Sequence, residues 1–189
     1  MKRFVFTLVP MLLVLVFAIG CASTESAAPA APAAQAAPVE KPTPQPWTID
    51  FEDGTTMGWA GNNATAAVAK DKVHGGTYSM RVAAGDAGWK TAWFYNCGDK
   101  ILADVPYSYS AWIYQETGKN VKFNIVIKTT MSSYKRAVDS AVVSSGVWTE
   151  IKNDSFVLSS DAGKPQDIYI EPETPGIVFY VDDIAILPK

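Results

Sequence analysis

From Trp47 to Lys189 the chain repeats one local pattern. Short runs of β-branched and aromatic residues recur about every ten residues, separated by Gly, Asp, Asn, Ser and Pro. Such spacing leaves no room for helices of ordinary length and calls for many short strands. Val121-Lys-Phe-Asn-Ile-Val-Ile-Lys128 alternates cleanly, with Val121, Phe123, Ile125 and Ile127 on one face, and Trp47-Thr-Ile-Asp-Phe51 does the same. Eight further segments read as strands: 64–70, 78–83, 90–95, 107–114, 135–140, 149–157, 167–171 and 177–187. About ten strands with one apolar face each can be buried only by packing two sheets together, so an all-β, two-sheet antiparallel sandwich is expected.

The residues before Trp47 are of another kind. Lys2 and Arg3 precede an apolar run from Phe4 to Ile19, which is short for a membrane span and ends in small residues, as an export signal does. It stops at Ala18-Ile19-Gly20-Cys21, which resembles a bacterial lipobox with Ala18 in place of the usual Leu. That resemblance implies removal of residues 1–20, acylation of Cys21, and a protein exported to the cell envelope and held at a membrane surface. Ala22-Ser23 lacks the Asp of the enterobacterial inner-membrane retention signal, and the leaflet is not otherwise readable. Residues 22–46 hold nine Ala and six Pro, which preclude a continuous helix and supply no core. Residues 21–46 therefore read as a lipidated Cys and a semi-rigid tether, and 47–189 as the single folded domain.

Composition removes several kinds of function. With 16 Lys+Arg against 19 Asp+Glu, the chain lacks the basic surface of a nucleic-acid binder. One His and two Cys are too few for a zinc cluster or a disulfide scaffold. Cys97 is expected to be buried as a small apolar residue. His74 is the only base available to a nucleophilic Ser or Cys, and no G-x-S-x-G elbow accompanies it.

The motifs carry more in series than singly. Phe51-Glu-Asp-Gly54 is followed by Gly58-Trp59, His74-Gly-Gly-Thr-Tyr-Ser-Met-Arg-Val82, Trp89, Tyr107-Ser-Tyr-Ser-Ala-Trp112, Gly146-Val-Trp-Thr149 and Phe179-Tyr-Val-Asp-Asp-Ile184. This order resembles the galactose-binding-like jelly-roll carbohydrate-binding modules, families four, nine and twenty-two above all, over nearly all of residues 49–187. The resemblance implies a structural calcium held by Glu52, by Asp182 or Asp183, and by carbonyls of the turn near Gly76. Hard carboxylate oxygens suit that ion. It also implies sugar contacts by Trp89, by Tyr134 and by the carboxylate of Glu173. Two positions depart from the family pattern: Glu171 stands where an aromatic is expected, and Asn62 where an Arg is.

Alternation places Trp89, Thr91, Trp93 and Tyr95 on one strand face, with Trp93 expected in the core. The same rule turns Tyr169, Glu171 and Glu173 outward together while Ile168 and Ile170 face inward. Trp59, Trp112 and Trp148 are expected in the core as well. Glu171 and Glu173 could be spaced as a glycosidase pair, but both would act from one strand with no opposing wall. The main expectation is a monomeric, non-catalytic binder of a neutral polysaccharide or oligosaccharide of xylan or β-glucan type. The alternative is a structural or adhesive envelope lipoprotein that uses the same fold for protein contacts. An exposed cleft around Trp89, Tyr134 and Glu173 favours sugar, and a flat face with those aromatics buried favours the alternative.

Overall fold

The computed structural model describes residues 42–189. The export signal, Cys21 and most of the tether lie outside the described residues. Eleven strands follow in order: β1 Trp47–Ile49, β2 Trp59–Gly61, β3 Thr65–Ala69, β4 Ser79–Ala83, β5 Ala92–Tyr95, β6 Pro106–Gln115, β7 Val121–Thr129, β8 Tyr134–Val143, β9 Thr149–Val157, β10 Pro165–Pro172 and β11 Val178–Pro188. Among the described residues helix is confined to two single 3-10 turns, Cys97–Asp99 and Ser160–Ala162. One sheet runs β3-β4-β11-β6-β9, with β1 also paired to β11, and the other runs β2-β5-β10-β7-β8. The recorded pairings are antiparallel.

The two inner faces supply the core. Ile49, Met80, Val82, Ile113 and Val181 from the first sheet meet Ala92, Ile125, Ile127, Ile168 and Ile170 from the second. Phe123 and Phe179 meet edge to face across the interface, with centroids 5.0 Å apart. The alternation of β7 forecasts this directly, because its apolar face can be buried only against another sheet. Cys97 is buried among these residues, and burial pushes its thiol up to about 12.

Three differences from the sequence reading have local causes. β2 is too short to show a period and was not foreseen. β1 stops at Ile49 because Phe51 lies at φ 61, in the left-handed region. β8 continues past Ser140 because that residue, at φ 51, opens a register shift against β7 after which pairing resumes at Ala141.

Candidate functional site

The outer face of the five-stranded sheet is hollowed into a cleft of about 860 Å³. Strand register organises its side chains in rows. Tyr95, Asp167, Lys128 and Tyr134 are cross-strand neighbours along β5, β10, β7 and β8. Trp93, Tyr169, Val126 and Arg136 form the next row, and Glu171 stands beside Asn124 in a third. Trp89 and Asn62 close this last end from the loops before β5 and after β2. The Asn62 side chain donates to the Trp89 carbonyl at 3.1 Å and its backbone N–H to the Thr91 carbonyl at 2.8 Å, so the two loops are tied together.

The rings divide by exposure. Trp89 is 49% exposed, Tyr95 53% and Tyr134 55%, so all three stand as walls. Trp93 and Tyr169 lie lower and near parallel, 6.5 Å apart and 26° off plane, as a floor. The indole Nε1 of Trp93 is buried without a hydrogen-bond partner in the protein. An N–H left in this way is poised to donate to a ligand that fills the cleft.

Charges sit among the rings. Asp167 is 1% exposed; its Oδ2 lies 3.4 Å from the Lys128 ammonium and its Oδ1 accepts the Asn96 backbone N–H at 3.4 Å. Burial raises the Glu171 carboxyl above its ordinary ionisation range, while the Arg136 charge pulls it back. Loss of water, then the nearby Asp167 and Tyr134, push the Tyr169 hydroxyl up to about 12, so it stays a neutral donor at any ordinary pH. Exposed ring faces can take the C–H faces of a pyranose, and amides, carboxylates and phenols can take its hydroxyls.

Of the residues singled out from sequence, Asn62, Trp89, Tyr134 and Glu171 come together here. Glu173 does not line the cleft. β10 ends at Pro172, Glu173 N–H donates to the Lys122 carbonyl at 2.8 Å, and the carboxylate accepts from Ser140 Oγ at 2.7 Å. The outward trio of Tyr169, Glu171 and Glu173 is thus a pair, and the Tyr-then-Glu spacing that faces the cleft is Tyr169 and Glu171. Glu171 and Glu173 do not face a common substrate position. Trp93, expected in the core, lines the cleft instead. Tyr95, Lys128, Arg136 and Asp167 also line the cleft; the parity of β5, β7 and β10 already puts Tyr95, Lys128 and Asp167 on the outer face, and Arg136 joins them from β8.

The acidic strand ends gather on the other sheet around the turn at Gly75 and Gly76. Glu52 accepts the Thr77 N–H at 2.9 Å and the Tyr78 N–H at 2.8 Å. A Cβ on Gly75 would meet Asp183 Oδ2, and one on Gly76 would meet the Glu52 carboxyl, so these two carboxylates flank the turn. Asp182 is fully buried, and its oxygens accept the N–H groups of His74, Gly75 and Asp183. Among the described residues no three His, Cys, Asp or Glu side chains are placed together as a metal-binding group. Glu52 and Asp183 are hard oxygen donors that fit a calcium ion only if backbone carbonyls complete the set. His74 closes this corner, with Nδ1 2.7 Å from Asp183 Oδ2 and its ring stacked 3.7 Å from Trp112. Trp112 and Trp148 pack on His74 at the outer face of the sheet, not in the core where they were expected.

Residues 48–176 match the model of a family described as a carbohydrate binding domain, CBM 4/9. Endo-1,4-beta-xylanase A of Thermoanaerobacterium saccharolyticum is 30% identical over 141 residues, which are 72% of this chain and 12% of that enzyme. Endo-1,4-beta-xylanase A of Thermotoga maritima is 23% identical over 155 residues, 80% of this chain and 14% of that enzyme. The chain thus spans about an eighth of the length of these relatives. Among solved structures, a xylan-binding domain of Paenibacillus barcinonensis superposes with a TM-score of 0.67 at 15% identity, over 75% of this chain and 92% of its own.

Proposed function

The chain belongs to the carbohydrate-binding domain family over residues 48–176, and from that footing we propose that it binds a neutral polysaccharide or oligosaccharide of xylan or β-glucan type in the cleft, without catalysis. The observation that carries the reading is the set of three half-exposed rings, Trp89, Tyr95 and Tyr134, standing over a floor of Trp93 and Tyr169. Burying such rings against a sugar removes apolar surface from water on both partners. The Glu171 carboxyl, the Asn62 amide and the free Trp93 N–H orient its hydroxyls. Residues matched by the family model and by the xylanases support the same ligand class.

We also propose that Glu52 and Asp183, with carbonyls of the turn at Gly76, hold a structural calcium. Asp182 then acts beside the ion as the anchor of the 74–75 backbone. We further propose that Cys21, at the end of a run that resembles a lipobox, carries an acyl anchor that displays the domain on a membrane surface of the bacterial envelope, where it captures soluble oligosaccharides or holds the cell to insoluble glycan.

Affinity electrophoresis of the chain through gels containing xylan, mixed-linkage β-glucan or mannan tests the sugar reading, with calcium supplied. Retardation in at least one of the first two gels is expected, and Trp89→Ala abolishes it. Unretarded migration in all three gels defeats the reading.

A further inference from the structure

β8 lies at the end of its sheet and pairs with β7 alone. An edge strand takes its register from a single neighbour, so a contact from outside the ladder has more influence there than in the middle of a sheet. β8 is also irregular. Phe123 faces Ala141, Ile125 faces Val138 and Val126 faces Arg136, so β8 gains a residue over β7 on each side of Val138. One of these bulges contains Asp139 and Ser140, with Ser140 at φ 51. A serine in the left-handed region persists only where its surroundings hold it.

Two side chains hold this one. Asn124, 2% exposed and opposite the bulge on β7, accepts the Ser140 N–H at 2.7 Å. Glu173 accepts the Ser140 hydroxyl at 2.7 Å, while its own N–H donates to the Lys122 carbonyl at 2.8 Å. Glu173 follows β10, and β7 lies between β10 and β8. One residue thus links three strands, tied to β7 by its backbone and to β8 by its carboxylate.

The bulge leads back to the cleft. Asp139 Oδ1 lies 3.1 Å from Ser140 Oγ and 3.3 Å from a guanidinium nitrogen of Arg136. Arg136 lines the cleft, and its positive charge acts on the Glu171 carboxyl. Its side chain is more than half exposed, so by itself it would sample many rotamers. A carboxylate fixed by the bulge selects one of them, and a guanidinium with five N–H donors keeps others for a ligand.

We propose that Glu173 is a positioning residue for the glycan site: by holding Ser140 it fixes Asp139, and Asp139 holds Arg136 over the cleft, where the guanidinium donates to a sugar hydroxyl. The proposal rests on the sugar-binding reading above. Its test is calorimetric titration of the full chain with xylohexaose and cellohexaose, beside melting curves of each variant. For the sugar that the wild type binds more tightly, Arg136→Ala weakens binding about fivefold, the size of one hydrogen bond. Glu173→Ala weakens it about threefold to fivefold, and Asp139→Ala does the same from the middle of the relay. Glu173→Gln, whose amide oxygen still accepts the Ser140 hydroxyl, stays within about twofold of the wild type. The double variant of Glu173→Ala and Arg136→Ala loses no more than Arg136→Ala alone, because a residue that acts through Arg136 has nothing further to remove. Losses that add overturn the relay, since Glu173 would then act on the ligand by another route. So does a Glu173→Ala variant that melts lower but binds as the wild type does, or a Glu173→Gln variant as weak as Glu173→Ala. No binding of either sugar by the wild type overturns the sugar reading and the relay with it.

Discussion

A carboxyl group on the side of a cleft loses water that must be replaced. At Glu171 the nearest compensation is the positive charge of Arg136, and it falls short, so ionisation is displaced upward. A carboxyl whose folded pKa lies above its unfolded one favours folding while it is protonated. That contribution is complete below the unfolded value and is lost as pH rises through the folded one. Glu171→Gln removes the dependence. Melting curves of wild type and variant should therefore stand at a constant offset in acid, and the wild type should lose ground to the variant as pH rises through the raised value. A constant offset across that range counts against the burial of this carboxyl. A bound glycan that donates a hydroxyl to Glu171 stabilises the ionised form, so ligand should narrow the gap above that range. At this scale residue type and motif order single out Trp89, Tyr134, Asn62 and Glu171, and the fold brings these four to one cleft. Glu173 was misplaced because alternation holds only while a strand lasts, and β10 ends one residue before it.

At the scale of an element, the turn at Gly75 and Gly76 shows how a loop can be set by side chains from distant strands. Glu52 precedes β2 and Asp182 and Asp183 lie on β11, yet Asp182 takes the N–H groups of His74 and Gly75, Glu52 takes those of Thr77 and Tyr78, and Asp183 meets the His74 ring. Gly76 lies at φ 63, and a Cβ there would enter the space of the Glu52 carboxyl. Gly76→Ala combines backbone strain with that clash and should cost about 1–3 kcal/mol. For a domain of this size the melting temperature should fall by about 3–10 °C. If Glu52 and Asp183 hold calcium, a chelator lowers the melting temperature of the wild type, since an ion bound only by the folded state stabilises it. Glu52→Gln should shrink that difference, and a wild-type melting temperature indifferent to chelator contradicts the metal proposal. The shift in β11 between Asp182 and Ala185, with Asp183 at φ 44, puts the two acids at a joint where β4 pairs before and β1 after. Sequence could show two adjacent acids but not which one would be consumed by backbone N–H groups, because the donors come from residues more than a hundred positions away.

For the whole molecule, the expected organisation is a lipid, a spacer and a binding domain in that order. The proposal that Cys21 carries the anchor predicts that the protein made in a bacterial host sediments with membranes and that Cys21→Ser moves it to the soluble exported fraction. Soluble wild type, or membrane-bound Cys21→Ser, defeats the anchor. Composition and alternation together determined that residues 47–189 would form an antiparallel sandwich, because strands with one apolar face each can exclude water from that face only by pairing sheets. The aromatic content and motif order also pointed to carbohydrate. Which rings would stand open was decided by the tertiary structure alone. Trp59 and Trp93 pair with adjacent positions on β5 or lie on it, yet one is buried and the other lines the cleft. The face that a side chain takes follows from strand parity, but whether that face meets the core or the cleft depends on which sheet covers it, and that is set by pairings between strands far apart in the chain.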